Sequence, residues 1–162
     1  MQPVIVAGGG IGGIAAALAL ARNGRASIVL EQASRIGEIG AGIQLAPNAF
    51  HCFDALGVGD QARAEAVFID KLRLMDGLTG DEIVHIPLDQ PFRERFGNPY
   101  AVVHRADLHM ALVEAARNTG LVDIRTSHRV EGYTQDGAAV RVSCTGQDPV
   151  VGSALIGADG LR

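Results

Sequence analysis

Hydrophobic and polar positions in this chain follow two different periods, and clusters of glycine mark where one gives way to the other. Pro3 to Ala7 is a short apolar, β-branched run that reads as a buried strand. From Ile11 onward, Ile14, Ala15, Leu18, Ala19 and Arg22 recur at helical spacing, and Asn23-Gly24 supplies a C-terminal cap. Ser27 to Leu30 is the next apolar strand, ending at Glu31. These segments form a βαβ unit of about thirty residues, which predicts parallel strands joined by a right-handed crossover.

The pattern then loosens. Ile36 to Gly42 is a glycine-rich loop, and Pro47 sits as the first residue of a helix running to Gly57. Phe68–Met75 and Glu82–Pro87 read as a hairpin turning through Asp76 to Asp81, and Gln90 to Pro99 carries no period and reads as a loop. Ala101–His104 is a short strand. Asp107 in a first turn, with Leu108, Leu112 and Ala115 on one face, predicts a helix closed by Asn118-Thr119-Gly120. Val122–Thr126 is a further strand. Arg129–Thr134 and Ala139–Cys144 flank a Gln135-Asp136-Gly137 turn, and Ala154 to Ile156 runs into Gly157-Ala158-Asp159-Gly160. A buried strand followed at once by a glycine turn predicts that the native polypeptide continues, since those backbone groups need partners.

Composition narrows the reading. A chain of 162 residues with an ordinary apolar fraction supports one domain with a real core and excludes a disordered chain. The net charge of −4 and the lack of a basic run exclude an electrostatic footprint for nucleic acid. Val4 to Ala21 is uncharged and mimics a signal peptide or short membrane span. No Lys or Arg precedes it, however, and five glycines fall between positions 8 and 13. The run divides more naturally into strand, turn and helix, so no membrane association is expected and a cytoplasmic location is. Cys52 and Cys144 match no metal or C-x-x-C spacing and read as two buried thiols. The five histidines show no metal spacing, and His104, on a predicted buried strand, reads as a core residue.

Gly8-Gly9-Gly10-Ile11-Gly12-Gly13 carries the chemistry. It contains G-x-G-x-x-G at 8, 10 and 13, follows a strand, opens a helix, and is followed by Glu31 at the end of the second strand. Gly8 permits the tight turn, Gly10 lets a pyrophosphate approach the backbone, and Gly13 lets helix and sheet pack closely. The helix aims its free N–H groups at the phosphates, and the Glu31 carboxylate suits ribose hydroxyls while repelling a 2′-phosphate. The fingerprint does not choose between dinucleotides.

Three further motifs do. Glu31-Gln32 with Gly40-Ala41-Gly42-Ile43-Gln44-Leu45-Ala46-Pro47-Asn48-Ala49, then His104-Arg105-Ala106-Asp107-Leu108, then Gly157-Ala158-Asp159-Gly160, resemble in order the FAD-dependent aromatic hydroxylases of the para-hydroxybenzoate hydroxylase class. Phe96-Gly97-Asn98-Pro99-Tyr100 through Arg105 is most similar to the branch holding 3-hydroxybenzoate 6-hydroxylase and salicylate hydroxylase. The resemblance covers the whole chain and implies an α/β fold: a Rossmann-like FAD-binding domain with a parallel sheet plus a β-meander, incomplete at the C-terminus. It implies a discontinuous FAD-binding domain, 1–67 and 100–162, with 68–99 as the first hairpin and loop of a substrate domain.

The implied cofactor contacts are Gly8, Gly10, Ile11, Gly12, Gly13, Glu31, Gln32, Gly42, Ile43, Gln44, Arg105, Val130 and Asp159. The fork of Arg105 suits a phosphate bidentately or an exposed surface position. Asp159, at the carboxyl edge of the sheet, suits a ribityl or ribose hydroxyl or a plain Asp-Gly turn. Glycines 40 and 42 would let the loop run beside the cofactor. Tyr100 reaches an aromatic substrate or flavin ring, or packs at a domain joint, with packing favoured; no catalytic residue is otherwise visible. The implied reaction uses FAD, with NAD(P)H and O₂ as co-substrates, to hydroxylate a small aromatic acid, in a full-length protein expected to be a homodimer. The 162-residue piece alone is expected to be inactive. Another FAD-dependent oxidoreductase on the same fold and a non-catalytic nucleotide-binding protein remain alternatives. A plain NAD-dependent dehydrogenase is disfavoured because the second half turns strand-rich instead of repeating βαβ.

Overall fold

A computed structural model describes residues 1–37, 41–137 and 139–160. The chain divides into two compact units, Met1–Ile39 with His109–Arg162, and Gly40–Leu108.

The first unit is built on β1 (Val4–Ala7), α1 (Ile11–Arg22) and β2 (Ser27–Leu30). With β8 (Val122–Arg125) and β12 (Ala154–Gly157) they give a parallel sheet in the order β12-β1-β2-β8. Val4 stands opposite Ser27 on one side and Ala154 on the other, so the first and last strands of the chain are neighbours. A second, antiparallel sheet is a meander of β9 (Val130–Asp136), β10 (Ala139–Cys144) and β11 (Gln147–Gly152).

All four residues of β1 are buried because both its faces are covered. Side chains alternate along a strand, so Ile5 turns to one face and Val4 and Val6 to the other. Ile5 and Leu30 pack with Val140, Val142, Cys144 and Val150 of the meander, with Ile28, Val130 and Leu155 at the margin. Helix α1 packs on β1 and β2 and buries Ile14, Ala17 and Leu18. The stretch that mimicked a membrane span is therefore a strand and a helix of one βαβ layer. Among the described residues, no helix is long and apolar enough to cross a membrane.

The second unit holds a three-stranded antiparallel sheet, with β7 (Ala101–His104) between β3 (Gly42–Leu45) and β4 (Ala66–Phe68). It also holds α2 (Pro47–Leu56), α3 (Gly59–Ala64), the hairpin β5 (Lys71–Met75) with β6 (Glu82–Pro87), and α4 (Gln90–Phe96). Phe50 is fully buried among Phe53 and Phe68, with the Arg63 guanidinium over its ring. Helix α5 (Arg105–Asn118) runs across the boundary between the units at Leu108/His109.

Several expectations are corrected. Phe68 to Met75 is two strands, because Phe68 pairs with Ala101 of β7 while Lys71 begins the hairpin with Pro87. Gln90 to Pro99 holds a helix where a loop was expected. Pro91 stands in its first turn, Gly97 closes it with φ 71°, and Arg93 is anchored to Asp70 at 2.9 Å. Seven residues are too few to show a period. Strand β9 runs on through Gln135 and Asp136, and Asp136 pairs with Ala139. On α5 the buried positions are Leu108, His109, Leu112, Val113 and Ala116, with Ala115 at the margin. His104 is exposed, because β7 carries its alternate residues Ala101 and Val103 inward; the buried histidine is His109. Of the two cysteines only Cys144 is buried, since Cys52 lies on the outer face of α2. Glu38, Ile39 and Gly40 of the glycine-rich loop lie outside the described residues.

Candidate functional site

The turn between β1 and α1 is shaped by what its glycines exclude. Gly8 donates its N–H to the Leu30 carbonyl (2.8 Å) and has φ 111°, which a side chain rarely adopts. A Cβ there would run into the Ala158 carbonyl, and its carbon would stand 2.9 Å from the Asp159 nitrogen. Two motifs 150 residues apart in sequence thus lie against each other: the turn after β12, tied down by Ala158 N–H to the Ala7 carbonyl at 2.7 Å, crosses directly beside Gly8. A Cβ on Gly13 would land on the Gly8 carbonyl oxygen, whereas one on Gly12 would meet nothing within 4 Å.

Gly10 is the N-cap of α1 and makes no side-chain cap, and the first turn holds no acidic residue. The N–H groups and dipole end of this twelve-residue helix therefore receive no cap from the side chain of the N-cap position. Gly9, just before it, is held from both sides. Its N–H donates to Glu31 Oε2 at 2.7 Å, and its carbonyl is 2.7 Å from His109 Nε2. The other Glu31 oxygen accepts from the Ala33 N–H at 2.8 Å. Each carboxylate oxygen has two lone pairs, so the group retains acceptor capacity for hydroxyls beyond these backbone bonds. Glu31 is half-buried and the neighbouring Gln32 exposed, at the carboxyl end of β2.

The sequence-derived residues therefore fall into two groups. In the first unit, Gly8, Gly10, Ile11, Gly12, Gly13, Glu31, Gln32 and Asp159 gather at the carboxyl ends of β1, β2 and β12. Val130 is different: its side chain packs at the margin of the meander core, which leaves mainly its backbone to offer a ligand. In the second unit, strand pairing puts Gly42 opposite His104, and Arg105 donates its N–H to the Ala41 carbonyl at 3.0 Å. The Gly42-Ile43-Gln44 segment and the arginine segment are thus adjacent. Tyr100 donates its hydroxyl to Gln44 Oε1 at 2.7 Å, so its oxygen is already engaged. Sequence reasoning did not anticipate His109, although its place among Leu108, Leu112 and Ala116 on the apolar face of α5 was a readable signal.

A parallel sheet whose first βα turn is a stripped glycine corner, with a carboxylate at the end of the second strand, defines a dinucleotide-binding protein of the βαβ class. The whole chain, residues 1–162, matches the FAD binding domain family, and the protein belongs to it. It is 55% identical over 160 residues to 3-hydroxybenzoate 6-hydroxylase of Polaromonas naphthalenivorans, covering 99% of this chain and 40% of that protein. The enzyme of the same name from Klebsiella oxytoca is 50% identical over 156 residues, covering 96% of this chain and 39% of the relative. The crystal structure of Klebsiella pneumoniae HpxO complexed with FAD and uric acid superimposes with a TM-score of 0.86 at 30% identity, over 98% of this chain and 39% of that one. The chain thus spans about 40% of the length of the curated relatives it matches.

Proposed function

We propose that this chain holds FAD for a flavin-dependent monooxygenase that hydroxylates a phenolic or benzoate-type aromatic acid, using NAD(P)H and O₂. The observation that carries the reading is the convergence of the Gly8–Gly13 corner, Glu31 and the Asp159 turn at one sheet edge. The fit to a dinucleotide is physical. Gly8 and Gly13 leave no room for side chains, the N-cap Gly10 puts no side-chain cap on α1, and Glu31 keeps free lone pairs.

In this proposal the N–H groups of Gly10, Ile11, Gly12 and Gly13 meet the pyrophosphate, Glu31 and Gln32 the adenosine ribose, and Asp159 a ribityl or ribose hydroxyl. Val130 contributes through its backbone. Gly42, Ile43, Gln44 and Arg105 remain cofactor contacts on the strength of their motifs and mutual adjacency, Arg105 as the phosphate ligand. Tyr100 orients Gln44 through its hydroxyl instead of meeting substrate. Bound FAD would supply the electron transfer and oxygen activation; the chain's own task is to hold and orient it.

Residues 1–67 and 100–162 then form the FAD-binding domain, and 68–99 opens a substrate domain. The β5–β6 hairpin supports this, with Leu74, Ile83, Val84 and Ile86 all exposed. The name shared by the 3-hydroxybenzoate 6-hydroxylase relatives makes 3-hydroxybenzoate the substrate to try first. A cytoplasmic homodimer completes the proposal for the full-length protein.

The test has two readings. Purified chain is titrated with FAD and desalted, and the flavin absorption bands are expected to stay with the protein. The full-length polypeptide is expected to consume NAD(P)H and O₂ in step with hydroxylated product from 3-hydroxybenzoate. Flavin washed out of both forms would defeat the cofactor reading, and retained flavin without product from any hydroxybenzoate would defeat the substrate reading alone.

A further inference from the structure

Helix α5 carries one polar side chain on an otherwise apolar buried face. His109 is only 2% exposed, flanked on its face by Leu108, Leu112, Val113 and Ala116. Its Nε2 lies 2.7 Å from the Gly9 carbonyl oxygen. A carbonyl only accepts, so Nε2 carries the proton and donates, which fixes the neutral ring as the Nε2–H tautomer and leaves Nδ1 as the bare nitrogen. That Nδ1 is buried with no hydrogen-bond partner among the described residues.

An imidazole serving only as packing would be a poor choice here. Leu112 and Val113 fill neighbouring space on the same face with no orphaned atom, whereas His109 leaves one. The hydrogen bond to Gly9 is what the ring provides. The peptide just before that carbonyl is held as well, since the Gly9 N–H, which belongs to the Gly8–Gly9 unit, donates to Glu31. In a trans peptide the carbonyl of one residue and the N–H of the next point in opposite directions. Drawing the Gly9 carbonyl toward α5 therefore turns the Gly10 N–H away from α5. Gly10 is the N-cap of α1, so that N–H joins the open donors at the helix end.

We propose that His109 is a positioning residue for the phosphate-binding turn. Acting through the Gly9 carbonyl, while Glu31 fixes the preceding peptide through the Gly9 N–H, it presets the Gly9–Gly10 peptide so that the Gly10 N–H is aimed at the cofactor's pyrophosphate. The inference rests on the FAD reading for the identity of the anion, but not for the hydrogen bond itself.

The full chain and three variants, His109→Leu, His109→Gln and Leu112→Ala, are compared for FAD affinity below their melting points, with ADP as a second probe. Gln places an amide N–H near the position of Nε2, Leu removes the donor at similar volume, and Leu112→Ala loosens the same helix face without touching Gly9. Loss of one hydrogen bond to a buried acceptor predicts that His109→Leu binds FAD and ADP about tenfold more weakly. His109→Gln is expected to recover most of that loss. Leu112→Ala is expected to melt at least as early as His109→Leu with unchanged affinity. Equal affinity for His109→Leu and the parent, or an equal loss in Leu112→Ala, overturns the proposal.

Histidine-labelled protein gives a reading that needs no ligand and no variant. The Nε2–H tautomer is expected for His109, and an Nδ1–H tautomer overturns the proposal even if His109→Leu fails to fold. If the parent retains no FAD, the cofactor reading fails separately. The positioning role is then judged by the Gly10 amide resonance, expected to shift in His109→Leu and return in His109→Gln; an unmoved resonance overturns it.

Discussion

Gly12 and Gly13 are adjacent, chemically identical, and under opposite constraints. A methyl on Gly13 would be driven into the Gly8 carbonyl, while one on Gly12 would meet nothing within 4 Å. Overpacking of this kind costs about 1–3 kcal/mol, and here it also displaces the turn that binds the cofactor. Gly13→Ala is therefore expected to lower the melting temperature and abolish FAD retention. Gly12→Ala keeps the backbone N–H and replaces a poor helix former, so it is expected to hold FAD normally and gain up to about 1 kcal/mol in stability. Thermal melts with and without FAD check both. At this scale much of the site was legible: Gly8, Gly13 and Glu31 all have the places their spacing implied. The double duty of Glu31 was not. It follows from the length of a carboxylate that can reach Gly9 and Ala33 together, and only the folded turn sets those distances.

Elements were legible where a full period was present. The βαβ unit, α2 and α5 begin and end close to where apolar spacing, Pro47 and the glycine caps put them. Helices α3 and α4 escaped because six or seven residues cannot display a helical stripe, and β3 escaped because glycine opens it. A polar network joins α3 and the end of α4 to α2, beside the small buried contact of Gly59 and Ala62. Arg63 forks onto Asp54, at 2.8 Å to Oδ2, and also reaches Asn98 Oδ1 at 2.6 Å. Asn98 in turn meets His51, whose other nitrogen lies 3.0 Å from the Phe96 carbonyl. The hydrogen bond from Arg63, aided by its charge, holds the Asp54 carboxyl below its ordinary range. A carboxyl depressed in the folded state adds stability that is present at neutral pH and is lost as pH falls through its folded-state value. Asp54→Asn is expected to lower stability at neutral pH and to converge with the parent as pH falls through the folded-state value, so that the acid side of its profile is shallower. Denaturant midpoints across an acid pH series measure this. The pair is exposed, so the effect is expected to be modest.

For the whole molecule, the exposed apolar residues of the β5–β6 hairpin are the main feature that neither unit accounts for. Leu78 is 98% exposed at its tip, and Ile83, Val84 and Ile86 follow along β6. Leu74 pairs with Val84 and Leu72 with Ile86, so these apolar residues share one face of the hairpin, and exposed apolar surface of this kind marks a face that meets another surface. The 162-residue chain is expected to bind an apolar fluorescent dye through it. Replacing Ile83 and Val84 together with Thr is expected to remove most of that signal, and an unchanged signal would place the dye elsewhere. The sequence by itself determined the βαβ start of the fold, the glycine corner and the carboxylate after β2, because these depend on local period and fixed spacing, while the family was carried by the resemblance of three motifs in order. Tertiary structure alone decided that the Ala158-Asp159 turn lies against Gly8, that Arg105 stands beside Ala41, and that a histidine on α5 reaches the Gly9 carbonyl. Each joins residues from 64 to 150 positions apart, and nothing in local pattern encodes which distant backbone atom a side chain will meet once the sheets have closed.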